Sequence, residues 1–218
     1  GGAGTFGTFK DDSNNTITSF DIALPQDKFI GAFDIKGRDY SVHHKNYNSL
    51  TGGILESDSS SAESSNPSYF TPTSTGITLS SYVHINTNTK TYVLEATIYT
   101  HVKGGVTGGV QWIEAYNPVT GNGLRLREGT NSVINIPHSL GKEIAFSVTK
   151  RLSSTRNGMV YYGDKDSRLK LFAADGNAVA LSAAYWNNTE PTASTFTFGN
   201  YSNTNQSGGV FLDRYFAN

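Results

Sequence analysis

Pro191–Phe198 (PTASTFTF) has a near copy at Pro72–Leu79 (PTSTGITL) in the first half of the chain. Both stretches end in apolar residues that alternate with threonine, which is the pattern of a β-strand with one buried face. Similarity within one chain indicates a structural unit that occurs more than once. The chain is therefore expected to contain two related β units.

Other segments repeat in the same order on either side of the middle of the chain. Ala32–Lys36 (AFDIK) resembles Ala145–Thr149 (AFSVT), and Tyr92–Ala96 (YVLEA) aligns with Val210–Arg214 (VFLDR). Short alternating segments such as Leu124-Arg125-Leu126 are followed by turns that contain glycine or Asn-Gly, as tight hairpins require. The sequence predicts an all-β fold of two tandem β-sandwich units that resemble jelly rolls.

The predicted boundary between the units lies in Lys103–Gly109 (KGGVTGG), because so many glycines favour a flexible linker over the interior of an element. The first unit is assigned to residues 1–102, the linker to 103–110 and the second unit to 111–218. Ser57–Ser68 is rich in serine and poor in apolar residues, and we expect it to be a surface loop of the first unit.

Composition argues against several classes of partner. The formal net charge of −1 gives no basic field, so neither nucleic acid nor a membrane surface is an expected partner. The chain has no cysteine, so neither disulfides nor thiolate metal sites contribute to its stability. No stretch approaches the roughly 20 apolar residues of a membrane span, so membrane insertion is not expected. The first residues, Gly1–Gly4 (GGAG), are neither a signal start nor an initiator Met, which suggests a piece of a longer protein.

Four motifs of the second half resemble a repeat unit of tail fibre proteins of tailed bacteriophages. They are His138–Gly141 (HSLG), Ala145–Leu152 (AFSVTKRL), Tyr185–Thr192 (YWNNTEPT) and the turn Asn203–Gly208. The first half looks like a diverged copy, in which Ser68–Thr73 replaces the Trp-Asn-Asn-Thr segment. The resemblance covers the chain from about residue 20 to residue 218.

The resemblance implies the receptor-facing region of a tail fibre in the virion. It further implies a homotrimer, a bacterial surface glycan (capsule or lipopolysaccharide) as ligand, and contact with other tail proteins through an N-terminal region that is missing here. It supplies no catalytic residue. A host-recognition module is therefore the favoured function, and a capsule depolymerase and a purely structural fibre or baseplate component are the alternatives.

The residues alone give little support for catalysis or for a metal site. His43 and His44 are the only close histidine pair, and neighbours on a strand point to opposite faces, so no metal and no cofactor are expected. His138 is expected to fix its turn rather than to act as a base. Enzymes that cleave glycans use paired carboxylates, and Asp164 with Asp166 would be the first candidates. The acidic residues are otherwise scattered.

Aromatic and amide side chains suit a saccharide, because a ring covers the C–H face of a sugar and an amide hydrogen-bonds its hydroxyls. Trp186 also has a structural interpretation, as a core residue whose indole N–H bonds a carbonyl while the two following asparagines cap a turn. Trp112 is expected to pack between domains or subunits. The predicted carbohydrate-binding residues are Tyr185, Trp186, Asn187, Asn188, Tyr161 and Tyr162.

Overall fold

The computed structural model describes residues 10–11, 30–38, 44–56, 60–64, 69–73, 77–82, 85–88, 90–162, 170–172 and 183–218. These residues form sixteen strands and two four-residue helices, so the predicted all-β class is confirmed. Within them, no helix is long and apolar enough to cross a membrane.

The strands are β1 Lys10–Asp11, β2 Gly31–Gly37, β3 Lys45–Asn48, β4 Ile54–Glu56, β5 Phe70–Pro72, β6 Ile77–Leu79, β7 Tyr92–Ile98, β8 His101–Thr107, β9 Val110–Asn117, β10 Asn122–Glu128, β11 Ile134–Pro137, β12 Ile144–Arg151, β13 Gly158–Tyr162, β14 Lys170–Phe172, β15 Thr195–Phe198 and β16 Val210–Ala217. The helices are α1 Ala183–Trp186 and α2 Ser202–Asn205.

The strands form two larger sheets and two strand pairs. The large sheet has the order β1-β8-β9-β10-β16-β12-β13-β14, and the small sheet has the order β4-β3-β2-β7. The remaining pairs are β5-β6 and β11-β15. Among the described pairs, only β1-β8 is parallel. The small sheet and the β14-β13-β12-β16 part of the large sheet follow the same strand order along the chain.

The matching segments nevertheless place their aromatic residues on opposite faces. Phe33 pairs with Tyr47 in the small sheet and Phe146 pairs with Tyr162 in the large sheet. Phe33 and Tyr47 pack with Phe70, away from the large sheet, whereas Phe146 points toward the small sheet. A shift of one residue turns every side chain of a strand to its other face. When the two segments are aligned by sequence, matching side chains therefore point to different faces of their sheets, as a shift of one residue would produce.

The large and small sheets share a core. Its buried residues include Ile30, Ala32 and Leu50 from the first half of the chain, packed with Ile113 and Leu212 from the second half. Burying a side chain as large as isoleucine or leucine stabilises a fold by about 1.5–3 kcal/mol. Residues of both halves therefore contribute to one apolar layer.

Each sheet is covered on its other side. Strands β5 and β6 pack on the small sheet around Phe70, and strands β11 and β15 with helix α1 pack on the large sheet around Trp186 and Phe196. The described residues thus form four layers, with the two sheets in the middle. Side chains on both faces of the central strands are consequently buried.

The predicted linker at residues 103–110 is wrong, because these residues belong to a β-hairpin. Strand β8 pairs with β9 from His101↔Tyr116 to Thr107↔Val110. Gly108 and Gly109 form the turn, with φ of 55° and 79°, a region that suits glycine. A Cβ on Gly105 would lie 2.9 Å from Trp112 Cζ2, so this glycine allows close packing. The glycines mark a turn and a tight contact, not a hinge.

Candidate functional site

Three of the predicted carbohydrate-binding aromatics are core residues. Tyr161, Tyr185 and Trp186 are 3 %, 5 % and 1 % exposed. The Trp186 ring stacks on Phe196 with centroids 5.1 Å apart, and Tyr161 meets it edge-on at 5.9 Å. Rings buried in this way present no face to a sugar. These three residues therefore do not form a binding surface for a sugar, because they pack between the large sheet and the β11-β15 layer.

Asn187 and Asn188 end helix α1 in a left-handed turn. Their φ values are 53° and 48°, a conformation that asparagine tolerates better than most residues, and both are exposed. The Thr189 N–H donates to the Trp186 carbonyl at 3.0 Å, which closes the turn. The structural interpretation pairs the Trp186 indole N–H with a carbonyl, but among the described residues this N–H has no hydrogen-bond partner. A glycan contact of the two exposed amides stays a prediction.

His138 and Trp112, two further residues singled out in the sequence, make contacts that stabilise the fold. His138 Nε2 lies 3.0 Å from the Thr192 carbonyl, and burial lowers the pKa of His138 to about 4. The neutral ring therefore donates to that carbonyl and ties β11 to the segment before β15. Trp112 packs in the core that contains Trp186 and Phe196, and its Nε1 donates to Thr107 Oγ1 at 3.0 Å.

His43, Asp164 and Asp166 lie outside the described residues. Within the described ranges, no three His, Asp or Glu side chains come together as a metal site would require. Residues 60–64 of the predicted serine-rich loop are described, and Ser61 and Ser64 in it are exposed.

A buried ionic network lies on the face of the large sheet that meets the β11-β15 layer. Asp213 accepts from Arg125 Nε at 3.1 Å, from Arg127 Nε at 2.8 Å and from Thr149 Oγ1 at 2.9 Å. The Arg127 guanidinium also lies 3.6 Å from the centre of the Phe198 ring. All these polar residues are fully buried. Because every group is enclosed by the core, this network has a structural role.

Glu114 extends the same network along the sheet. It lies opposite Arg125 on the neighbouring strand, accepts from the Ser139 N–H at 3.1 Å and also accepts from the Tyr215 hydroxyl. Burial raises the pKa of Glu114, and the hydrogen bond from Tyr215 and the charge of Arg125 oppose that rise. Gly123 leaves room for the Tyr215 ring, since a Cβ there would lie 2.1 Å from Tyr215 Cε2.

A cleft of about 580 Å³ lies between the large and the small sheets. One of its walls is the large sheet, whose lining side chains are mostly apolar. They are Leu124, Phe146, Val148, Val160, Leu212 and Phe216, with Arg214 and Lys150 among them. A cavity of this size and lining is typical of sites for small ligands.

The apolar wall contains an aromatic row. Phe216, Phe146 and Tyr162 are cross-strand neighbours on β16, β12 and β13, so their side chains share one face of the sheet. The rings of Phe146 and Phe216 lie 5.9 Å apart, and both residues are half-buried. Tyr162 is 52 % exposed and continues the row beyond the cleft. Among the four predicted aromatic residues, Tyr162 is the one whose side chain is largely exposed to solvent.

The opposite wall, on the small sheet, carries a row of polar side chains beside Ala32, Tyr47 and Leu55. Asp34 on β2 lies between Asn46 on β3 and Glu95 on β7, all in one cross-strand row. Asn46 Nδ2 donates to Asp34 Oδ1. His44, Asn48 and Glu56 also line this wall. The cleft therefore sets carboxylates and amides opposite an aromatic surface.

An ion pair joins the two walls. Arg214 on the large sheet donates from Nη1 to Asp34 Oδ2 and from Nη2 to Thr97 Oγ1 at 2.9 Å. Burial lowers the pKa of Arg214, but the charges of Asp34, Tyr99 and Glu95 and the hydrogen bond to Asp34 together outweigh this, so the pKa is raised overall. Because both charges are largely buried and paired, they hold the sheets at a fixed separation.

Lys150 holds one part of the cleft closed. Its Nζ donates to the Ser60 carbonyl at 2.8 Å and to the Arg156 carbonyl. The Arg156 N–H also donates to the Ser60 carbonyl at 2.8 Å, so residues 60–64 are tied to the segment between β12 and β13. Burial lowers the pKa of Lys150 to about 8.

The arrangement can hold a ligand with one apolar and one hydroxyl-rich face. A model of the family described as Domain of unknown function (DUF7483) matches residues 28–217. The chain belongs to the DUF7483 family. The residues matched include both walls of the cleft, from Ala32 to Phe216, so this DUF7483 domain contains the whole site. No curated protein and no solved structure matches the chain.

Proposed function

We propose that this chain is a host-recognition module of a phage tail fibre, and that it binds a bacterial surface glycan in the cleft between its two sheets. The proposal rests on the two walls of this cleft: the Phe146–Phe216 row lies on one wall, and the row of Asp34, Asn46 and Glu95 lies opposite it. The resemblance of its motifs to phage fibre repeats supplies the biological setting.

The chemistry of a sugar ring matches the two walls. The axial C–H groups of a pyranose form an apolar face that an aromatic ring covers, while its hydroxyls radiate outward as donors and acceptors. Asn46 and Glu95 lie on the wall opposite the rings, and an amide and a carboxylate are suited to bind such hydroxyls. A shallow, weak site suffices if several copies act together, because each further contact forms at high effective concentration.

The proposed assembly is a homotrimer in the virion that joins other tail proteins through an N-terminal region. The edge of β7 supports self-association, because in the described part of the chain β7 pairs only with β2. Val93 and Leu94 on this strand are 52 % and 44 % exposed. A long apolar edge strand is normally covered, and closed symmetry is one way to cover it.

Calorimetric titration with purified surface polysaccharide of the host tests the binding function. Truncating the row, as Phe146→Ala or Phe216→Ala, should weaken binding about tenfold or more, which corresponds to about 1.4 kcal/mol. Tyr201→Ala is the matched control, because Tyr201 is a partly exposed aromatic residue that packs on Tyr185 outside the cleft. Equal affinity of all three variants and the parent protein would contradict a cleft site.

The same samples separate the alternatives. A depolymerase would generate new reducing ends from the polysaccharide, whereas a recognition module leaves the polymer intact. We expect no new reducing ends. A protein that neither binds the polysaccharide nor blocks phage adsorption would be a structural component of the fibre.

A further inference from the structure

The charged groups of the cleft are unevenly matched. Three carboxylates line it, Asp34, Glu56 and Glu95, against two cationic side chains, Lys150 and Arg214. Asp34 is paired with Arg214, and Glu56 is paired with Lys45 on β3. Glu95 is the remaining carboxylate of the three, so it is the acidic group that a ligand can meet without breaking an ion pair.

The two cations are already engaged with the protein. Arg214 donates to Asp34 and Thr97, and Lys150 donates to two backbone carbonyls. A ligand carboxylate or phosphate would have to break one of these contacts to gain a donor. Breaking a buried, paired contact is costly, since it leaves a desolvated polar group without a partner.

The acceptors of the polar wall are more accessible. Glu95 is exposed, and within the described residues its carboxylate has no hydrogen bond or close ion pair, although its charge acts on Arg214. Asn46 uses its Nδ2 to donate to Asp34, which leaves its amide oxygen to accept. These oxygens lie across the cleft from the aromatic row, where the ring of a bound sugar would lie.

We infer that the cleft selects a saccharide that carries an amine, and that it discriminates against acidic sugars. The ring of such a sugar packs on Phe146 and Phe216 while its ammonium group meets the Glu95 carboxylate and the Asn46 amide oxygen. A uronic acid in the same position places its carboxylate beside Glu95, where like charges repel. The inference rests on the proposed glycan-binding function and adds the chemical class of the sugar.

Three tetrasaccharides with the same β-1,4 linkage test the selection, built of glucosamine, glucose or glucuronic acid. Each is titrated into the protein at a pH that keeps the amine protonated. The glucosamine tetramer should bind most tightly and the glucuronic acid tetramer least. Glu95→Gln should lower the affinity for the glucosamine tetramer about two- to fivefold, the range of an exposed ion pair, and leave the glucose tetramer unchanged. Glu143→Gln, an exposed change outside the cleft, should alter neither.

The possible results separate the two proposals. Equal affinities for the three tetramers, a preference for glucuronic acid, or the same response of both sugars to Glu95→Gln would overturn the inference while leaving glycan binding in place. Failure of all three tetramers to bind would overturn the inference, while the titration with host polysaccharide decides the proposed function separately.

Discussion

Replacing Asp213 by Asn should destabilise the protein strongly, because this carboxylate is the shared partner of two buried guanidinium groups. It accepts from Arg125 Nε, from Arg127 Nε and from Arg127 Nη2, at 3.1, 2.8 and 3.2 Å. The change Asp213→Asn keeps the shape but removes the charge and turns an amide donor toward other donors. Breaking a buried pair by neutralising one partner costs about 3–5 kcal/mol.

Such a loss is a large part of the roughly 5–15 kcal/mol that stabilises a domain. Urea unfolding should show a lower midpoint with an unchanged slope, since the surface exposed on unfolding stays the same. The control is Glu143→Gln, at an exposed position, where we expect a change within about 0.5 kcal/mol. A loss below about 1 kcal/mol for Asp213→Asn would refute the assignment of Asp213 as the counter-charge of both arginines.

Three further changes test other parts of the fold. Gly123→Ala should lower the melting temperature, because the new Cβ would meet the Tyr215 ring at 2.1 Å, and an unaltered melting curve would contradict this packing. As the pH falls from 6.5 to 4, the free energy of unfolding of the parent protein should decrease by roughly 1–3 kcal/mol, and that of His138→Gln should not show this decrease. The reason is that His138 stays neutral in the folded protein, with a pKa of about 4, and takes up a proton only when the chain unfolds. Equal pH profiles of the two proteins would contradict this prediction. Asn187→Ala with Asn188→Ala should cost about 2–4 kcal/mol of stability, because both positions are left-handed. A site in the cleft predicts unchanged polysaccharide binding per folded molecule, and weaker binding with unchanged stability would instead support the glycan contact of these two amides.

The sequence predicts the strands better than it predicts what their faces contact. Leu124-Arg125-Leu126 alternates as a strand should, and it is part of β10. The alternation suggests a solvated arginine face, yet Arg125 is fully buried. Its counter-charge, Asp213, is 88 residues away in the chain and becomes its neighbour only when β10 pairs with β16. A local pattern carries no information about that partner.

Glycine composition misled the prediction at residues 103–110, although a better signal was present. Gly108-Gly109 is a two-residue pair between segments of strand-forming residues, which is itself a hairpin signature. The need for Gly105 arises from the Trp112 ring on the paired strand, and that contact follows only from the register of the hairpin.

The cleft could not be predicted because its walls come from distant parts of the chain. Asp34 and Arg214, which join the walls, are 180 residues apart. Phe146 stands in a segment that the sequence aligns with Phe33, a core residue, so its position at the cleft differs from that of its apparent counterpart. The Tyr185–Asn188 motif predicts a site because its aromatic and amide side chains are adjacent in the sequence, whereas the fold buries both of its rings.

Methyl NMR during titration with host polysaccharide tests the cleft site most directly, because its apolar wall carries methyl groups of known position. Val148, Val160 and Leu124 line the cleft, whereas Val106 and Val119 are 67 % and 87 % exposed elsewhere. We predict that the glycan shifts the signals of the three cleft residues and leaves Val106 and Val119 unchanged. Unchanged cleft signals in a sample that binds the polysaccharide would contradict the account.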